Sequence, residues 1–258
     1  MKKLITIKKL LSNTTFVLLT FLVFQSCKKA ADITTENTSV TATPASPQIQ
    51  INDADAILVN LQTVTYTSVR GTTIETAIGL PVAMFFDGTN FKNVGSVTCE
   101  GKSLTKQDNH SYIFVPSATD PLGVTYDNTI NWAIAGDNGF PGGTYSVNSS
   151  FPNNVEIDAS NGQNIDSKSA FTLATKSPIS NADSVYFGIY GPSGAVNRVL
   201  AGNVSSYTFS ESEMNSIGAG IGFMQIAAVK HVKREMLSSN EVVYHLTEKV
   251  NTTSVTFK

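Results

Sequence analysis

The chain has 258 residues, with 18 basic against 20 acidic side chains and only two cysteines. Charged residues make up 15% of it, too sparse and too balanced for the clustered lysines and arginines that nucleic acid demands. Thr, Ser, Asn, Val and Gly dominate instead, a mix that favours strands and turns over helices.

The N-terminus has three parts in order. Met1 to Lys9 carries Lys2, Lys3, Lys8 and Lys9 with no acid, a positively charged leader. The apolar run Phe16 to Phe24 is far shorter than the ~20 residues that span a bilayer as a helix, so it reads as the core of a cleaved signal peptide. Phe24-Gln25-Ser26-Cys27 follows. This string resembles the lipobox of bacterial lipoproteins, in which a small residue, here Ser26, precedes the cysteine that is lipidated after cleavage. The resemblance implies a signal peptide over 1–26, cleavage between Ser26 and Cys27, and acyl chains such as palmitate on Cys27. One acyl chain anchors only marginally at ~0.8 kcal/mol per buried CH₂, whereas several hold a protein essentially permanently. Lys28 and Lys29 follow the cysteine where an aspartate would suggest inner-membrane retention, which leans toward the outer membrane and leaves its face open.

From Ala30 to about Gln48, threonine and serine alternate with Pro44 and Pro47, and large apolar residues are nearly absent. Such a stretch cannot bury enough surface to offset its ordering entropy. Residues 27–49 are therefore expected to form a lipidated disordered linker, which as random coil sets the folded part ~25 Å from the membrane. Without the four leader lysines, 14 basic residues face 20 acidic ones, a net charge near −6.

Beyond residue 50 the hydrophobic pattern has period two. Ile57, Val59 and Leu61 share a face, and Ile78 to Phe86 is mostly apolar but interrupted by Pro81, which suggests an edge or a bulge. Turns at Gly101-Lys102 and Asp108-Asn109 predict two hairpins. Ile130, Trp132 and Ile134 alternate cleanly before Asp137-Asn138-Gly139, and strands resume at Tyr145. A polar stretch over 153–168 suggests a boundary. After it, about seven strands in about 95 residues match the count of one sandwich.

Within that second part, Ser206-Tyr207-Thr208-Phe209-Ser210, the turn Glu213 to Gly218, and Gly222 to Val229 resemble the later half of a fibronectin type III or related immunoglobulin-like domain. Phe223 stands where that family usually has tyrosine, and the early-strand tryptophan is missing. The expected fold is all-β, with two consecutive β-sandwich, immunoglobulin-like domains after the tether, over 50–155 and 156–258.

Chemistry is sparsely written. No pair of His110, His231 and His245 has metal-ligand spacing, and His245 alternates opposite Tyr244 and Leu246, so it is expected to face solvent. Cys99 points with Val97 and reads as a small buried hydrophobe rather than a nucleophile. The G-x-S-x-G elbow is absent, and Gly191-Pro192-Ser193-Gly194 reads as a hairpin turn. The run Gly218 to Gly222 leads into a strand, which removes the helix N-terminus a phosphate loop needs. No catalytic residue, metal or cofactor is assigned.

Trp132 reads as core because Ile130 and Ile134 share its face. Phe140 and Tyr145, in and after a Gly/Pro loop, are the candidate ligand contacts, with cover for the sandwich end as the other reading of both. Lys230, His231, Lys233 and Arg234 form a small basic cluster. Asp183-Ser184-Val185 resembles an O-glycosylation tripeptide of some Gram-negative anaerobes, which makes Ser184 a candidate site. The expected protein is thus not an enzyme. It is a membrane-anchored binding module presenting loops to an extracellular glycan or protein, with a structural or assembly subunit of the envelope as the alternative.

Overall fold

The computed structural model describes residues 53–258 except 89, 149, 159–163 and 236–240. The expected signal peptide, Ser26, Cys27 and the linker lie outside the described residues.

The earlier strands are β1 (Ala56–Val69), β2 (Thr72–Asp87), β3 (Asn90–Phe91), β4 (Val97–Cys99), β5 (Lys102–Ser103), β6 (Thr105–Lys106), β7 (Tyr112–Ile113), β8 (Thr129–Ile134) and β9 (Gly143–Asn148). The later ones are β10 (Asn164–Ile165), β11 (Phe171–Ala174), β12 (Ser184–Tyr190), β13 (Ala195–Ala201), β14 (Ser206–Phe209), β15 (Gly220–Glu235) and β16 (Val242–Phe257). A short helix, α1 (Glu211–Asn215), precedes β15. The protein is all-β.

One large sheet has the order β13-β12-β15-β16-β1-β2-β7-β6, with β10 beside β16 and β3 beside β2. The join between early and late chain is the parallel pairing of β1 with β16, Ala56 opposite Val243 through Val64 opposite Asn251. Two smaller sheets, β5-β4-β8-β9 and β11-β14, complete the fold. The expected segments 50–155 and 156–258 therefore share a sheet, and Asp53–Lys258 form one compact unit. The continuous apolar runs of β1, β2, β15 and β16 explain this. Runs such as Ile57-Leu58-Val59 and Ile226-Ala227-Ala228-Val229 suit strands covered on both faces.

On one face of the sheet sit two separate cores. In the first, Leu58, Ala83 and Phe85 meet Cys99, Ile130 and Trp132 from the sheet of β4 and β8. In the second, Val64, Phe187 and Ile226 meet Leu173, Phe209 and Met214 from β11, β14 and α1. The opposite face carries Ile57, Val59, Leu61, Val82 and Met84, buried as well. Each such side chain contributes on the order of 1.5–3 kcal/mol when fully buried.

Local expectations largely hold. Ile130, Trp132 and Ile134 are buried while Thr129, Asn131 and Ala133 are exposed. The β4–β5 hairpin turns one residue earlier than the expected Gly101-Lys102, at Glu100 (φ 49°) and Gly101 (φ 72°), both left-handed, as a two-residue hairpin loop requires. The turn at Asp108-Asn109 joins β6 to β7. Gly191 to Gly194 connects β12 to β13, with the Gly191 N–H donating to the Gly194 carbonyl at 2.9 Å. The corner expected as a plain turn over Glu213 to Gly218 begins with α1 instead. Ser210 and Glu213 form a reciprocal capping box there, which satisfies two otherwise orphaned donors.

His245 is the clearest correction. It is 3% exposed, not solvent-facing, because β16 lies inside the large sheet and is covered on that face by packed side chains. Its alternation with Tyr244 and Leu246 is real, but both faces are buried, so alternation no longer distinguishes inside from outside.

Candidate functional site

Between the two cores the same sheet face turns polar. Asn60 and Gln62 on β1 lie opposite Thr247 and Lys249 on β16. Asn60 is wholly buried: its amide donates to the Leu246 carbonyl at 3.1 Å, and its oxygen accepts the Trp132 indole N–H at 3.1 Å. Asn251 closes the other end, donating to the Val64 carbonyl at 2.9 Å and accepting from the Ile157 N–H at 3.0 Å. These bonds satisfy buried polar groups that would otherwise be costly.

Above Gln62 and Lys249 opens a cleft of about 760 Å³. The segment around β8 supplies Tyr126, Asp127, Asn128 and Asn131, the β4–β5 turn supplies Glu100, and the chain after β9 supplies Phe151 and Asn153. Tyr126 and Phe151 face each other with ring centroids 5.2 Å apart, tilted by 37°. Burial pushes the Tyr126 hydroxyl well above its usual range, so it stays neutral.

The positions of these side chains are built in. Asn181, in the left-handed region at φ 61°, donates to the Ser150 and Phe151 carbonyls at 3.1 and 3.0 Å and accepts from Lys230 at 2.5 Å. Glu100 accepts from the Asn131 backbone N–H, and Ser146 donates to the Asn131 side-chain oxygen at 2.6 Å. Tyr126 is set by a backbone contact between two glycines. The Gly79 N–H donates to the Leu122 carbonyl at 3.0 Å and the Val124 N–H to the Gly79 carbonyl at 2.9 Å. A Cβ on Gly79 would come within 1.8 Å of the Val124 carbonyl oxygen, and one on Gly123 within 2.0 Å of the Gly79 oxygen. Gly79→Ala is therefore expected to cost about 2 kcal/mol or more and to move Tyr126, because backbone cannot yield as a flexible side chain can. Thermal unfolding measures the first effect, and a changed near-ultraviolet circular dichroism signal of the tyrosines the second.

Chemically, the cleft offers amides that donate and accept, an aromatic pair, and two carboxylates. Lys249 is the cation on its floor, with a side chain 9% exposed and its ammonium 2.6 Å from Glu75. Among the described residues no group of three or more His, Cys, Asp and Glu could hold a metal ion, and no helix is long and apolar enough to cross a membrane.

The residues singled out from sequence lie elsewhere. Phe140 is 3% exposed and packs edge-on against Phe85 at 4.8 Å, so it belongs to the first core and offers no contact surface. Tyr145 is half-buried against the same core, its hydroxyl donating to the Pro141 carbonyl at 3.3 Å. Ser184 is 3% exposed within β12, so its hydroxyl is not presented at the surface of the folded chain. Cys99 is buried as expected, and burial pushes its thiol well up, away from nucleophilic use.

The basic cluster is dispersed along β15 and largely engaged. Lys230 is held by Asn181, the His231 ring lies 3.1 Å from Asp183, and Lys233 pairs with Asp53 at 2.5 Å. The cleft residues carried one sequence signal, the density of Asn and Asp around 126–131 and 148–154. That composition marks loops in general, and nothing local shows that two such loops meet. No family model matches the chain, and no curated protein matches it.

Proposed function

We propose that this protein is a lipoprotein anchored through Cys27, leaning to the outer membrane, whose folded part is a non-catalytic binding module for an external glycan. The observation that carries the binding reading is the cleft. A sheet floor and two hydrogen-bonded loops converge amides, hydroxyls and an aromatic pair on one concave site. Amide side chains can each donate to one sugar hydroxyl and accept from another, and an aromatic face suits the apolar face of a pyranose ring.

The immunoglobulin-like reading of the C-terminal part is supported by its pairing order. There β12 lies between β13 and β15, β15 pairs β16, and β11 pairs β14 in a separate sheet across the second core. That likeness carries no function by itself. The earlier strands supply a second pair of packed sheets, and the two share β15, β16 and β1 as common floor.

Two measurements test the proposal. External protease on intact cells, against a lysed control, is expected to remove the folded part of a surface-exposed anchor; survival on whole cells overturns an external ligand. Binding of polysaccharides to the purified lipoprotein is expected to weaken about five- to tenfold in Asn128→Ala and in Asn153→Ala, each removing one or two neutral hydrogen bonds from an exposed cleft position. Unaltered binding in both variants places the ligand elsewhere.

An assembly role is the second reading. It is favoured by β13, a seven-residue edge strand without proline and with one charged residue, Arg198, the kind of edge another chain can extend. Crosslinking through a residue placed on β13 tests it, with capture of an envelope protein as the positive result.

A further inference from the structure

Resting on the glycan-binding reading, we propose that the cleft accepts uncharged glycan chains and turns away acidic ones, with the Glu75–Lys249 pair as the device that sets this selectivity. The argument is one of charge. Glu100 and Asp127 line the cleft, and Lys249 is the lysine or arginine among its lining residues. Lys249 is not offered to a ligand: its side chain is 9% exposed and its ammonium is bound 2.6 Å from the Glu75 carboxylate. Glu75 itself, on β2, is 37% exposed, so the pair stands at the margin of the cleft rather than in the deep interior.

A uronate or sulfate entering the cleft therefore meets two carboxylates and one cation that is already compensated. To be bound it must draw the Lys249 ammonium away from Glu75 and leave that carboxylate without its partner. Otherwise it lies near Glu100 and Asp127 with no counter-charge. Lys249 is the buried member of the pair, so drawing its ammonium off Glu75 is the costly event, not forming the pair. A neutral chain incurs neither cost. Its hydroxyls find Gln62, Asn128 and Asn153, whose amides serve either hydrogen-bonding role, and its ring faces find the half-buried Phe151.

Other nearby cations do not alter this balance. Lys230 keeps its charge, since its partner Asn181 at 2.5 Å is a neutral amide, but it does not line the cleft, where Glu100 and Asp127 outnumber it. Lys176 is bound to Glu156 at 3.2 Å.

The test uses the detergent-solubilised full lipoprotein and two oligosaccharide panels of matched length. One is neutral (gluco-, manno- and xylo-oligosaccharides), and the other acidic (oligogalacturonate, oligoalginate and a sulfated heparin fragment). At low salt, at least one neutral chain is expected to bind at least tenfold more tightly than every acidic chain, and 0.5 M salt is expected to narrow the gap as screening weakens the repulsion. In Glu75→Gln, which leaves the Lys249 charge uncompensated, acidic chains are expected to gain at least fivefold. An acidic chain that binds the wild-type protein as tightly as the best neutral one overturns the selectivity while upholding glycan binding. No gain in Glu75→Gln overturns the assigned device. Failure of every chain in both panels overturns the glycan-binding reading itself.

Discussion

Asn60→Leu is expected to lower the unfolding free energy by about 2–4 kcal/mol, although leucine shares the branched shape of asparagine. Asn60 is wholly buried at the inner end of the polar band, and its two polar atoms serve three partners. Its oxygen accepts the Trp132 indole N–H at 3.1 Å and lies 3.8 Å from the Cys99 sulfur, while its amide donates to the Leu246 carbonyl at 3.1 Å. Leucine leaves the indole N–H, in the centre of the first core, with no acceptor. A buried donor without a partner carries its full desolvation penalty, about 1–3 kcal/mol, and the loss at Leu246 adds to it.

A double-mutant cycle separates this cause from simple misfit. Trp132→Phe alone removes the donor and leaves a small void, costing about 2–3 kcal/mol. In Asn60→Leu with Trp132→Phe the orphaned indole no longer exists, so the pair is expected to cost about 1–2 kcal/mol less than the two single changes together. Urea unfolding of the three variants measures it, and strict additivity would show that the hydrogen bond contributes nothing.

The second expected result concerns acid. His245 and Glu248 lie three residues apart on β16, on opposite faces, and burial displaces them in opposite senses. Burial, aided by Arg234, holds the His245 imidazole down at about 4 against an ordinary 6.5. Burial alone pushes the Glu248 carboxyl up to about 7 against an ordinary 4.5.

A histidine depressed on folding stabilises fully above its unfolded value, and that contribution is lost as pH falls from 6.5 toward 4. A carboxyl raised on folding stabilises fully below 4.5, and that contribution is lost as pH rises toward 7. Each spans about 3 kcal/mol, and over pH 4.5 to 6.5 they run against each other. Wild-type stability is therefore expected to vary by less than about 1 kcal/mol across that window from these two groups. Glu248→Gln exposes the histidine effect, so this variant loses stability on acidification. His245→Gln exposes the carboxyl effect, so it gains stability on acidification. Chemical unfolding at pH 4.5, 5.5 and 6.5 distinguishes the three. Parallel profiles for wild type and both variants would show that neither group changes its protonation on folding.

Much of the local structure was legible from residue order alone. Period two, turn glycines and Asn-Gly or Gly-Pro-Ser-Gly signals located the hairpins, and the in-phase Ile130, Trp132 and Ile134 located a core. These features are decided within a few residues, by backbone sterics at left-handed positions and by the alternation of side chains across a pleat. The fate of Cys99 was legible for the same reason: it shares a phase with Val97.

What residue order could not settle was which distant strands meet. Period two marks a face but not the partner that covers it, so His245 was misplaced by a rule that holds only for strands with one wet side. The parallel pairing of β1 with β16 brings Gln62 beside Lys249 across nearly the whole folded chain, and with it come the shared sheet, the polar band and the floor of the cleft. Local propensity makes the strands and turns of this protein. Its candidate site exists because the tertiary fold buries one long sheet under two separate cores, and the polar residues left between them have no local pattern to announce them.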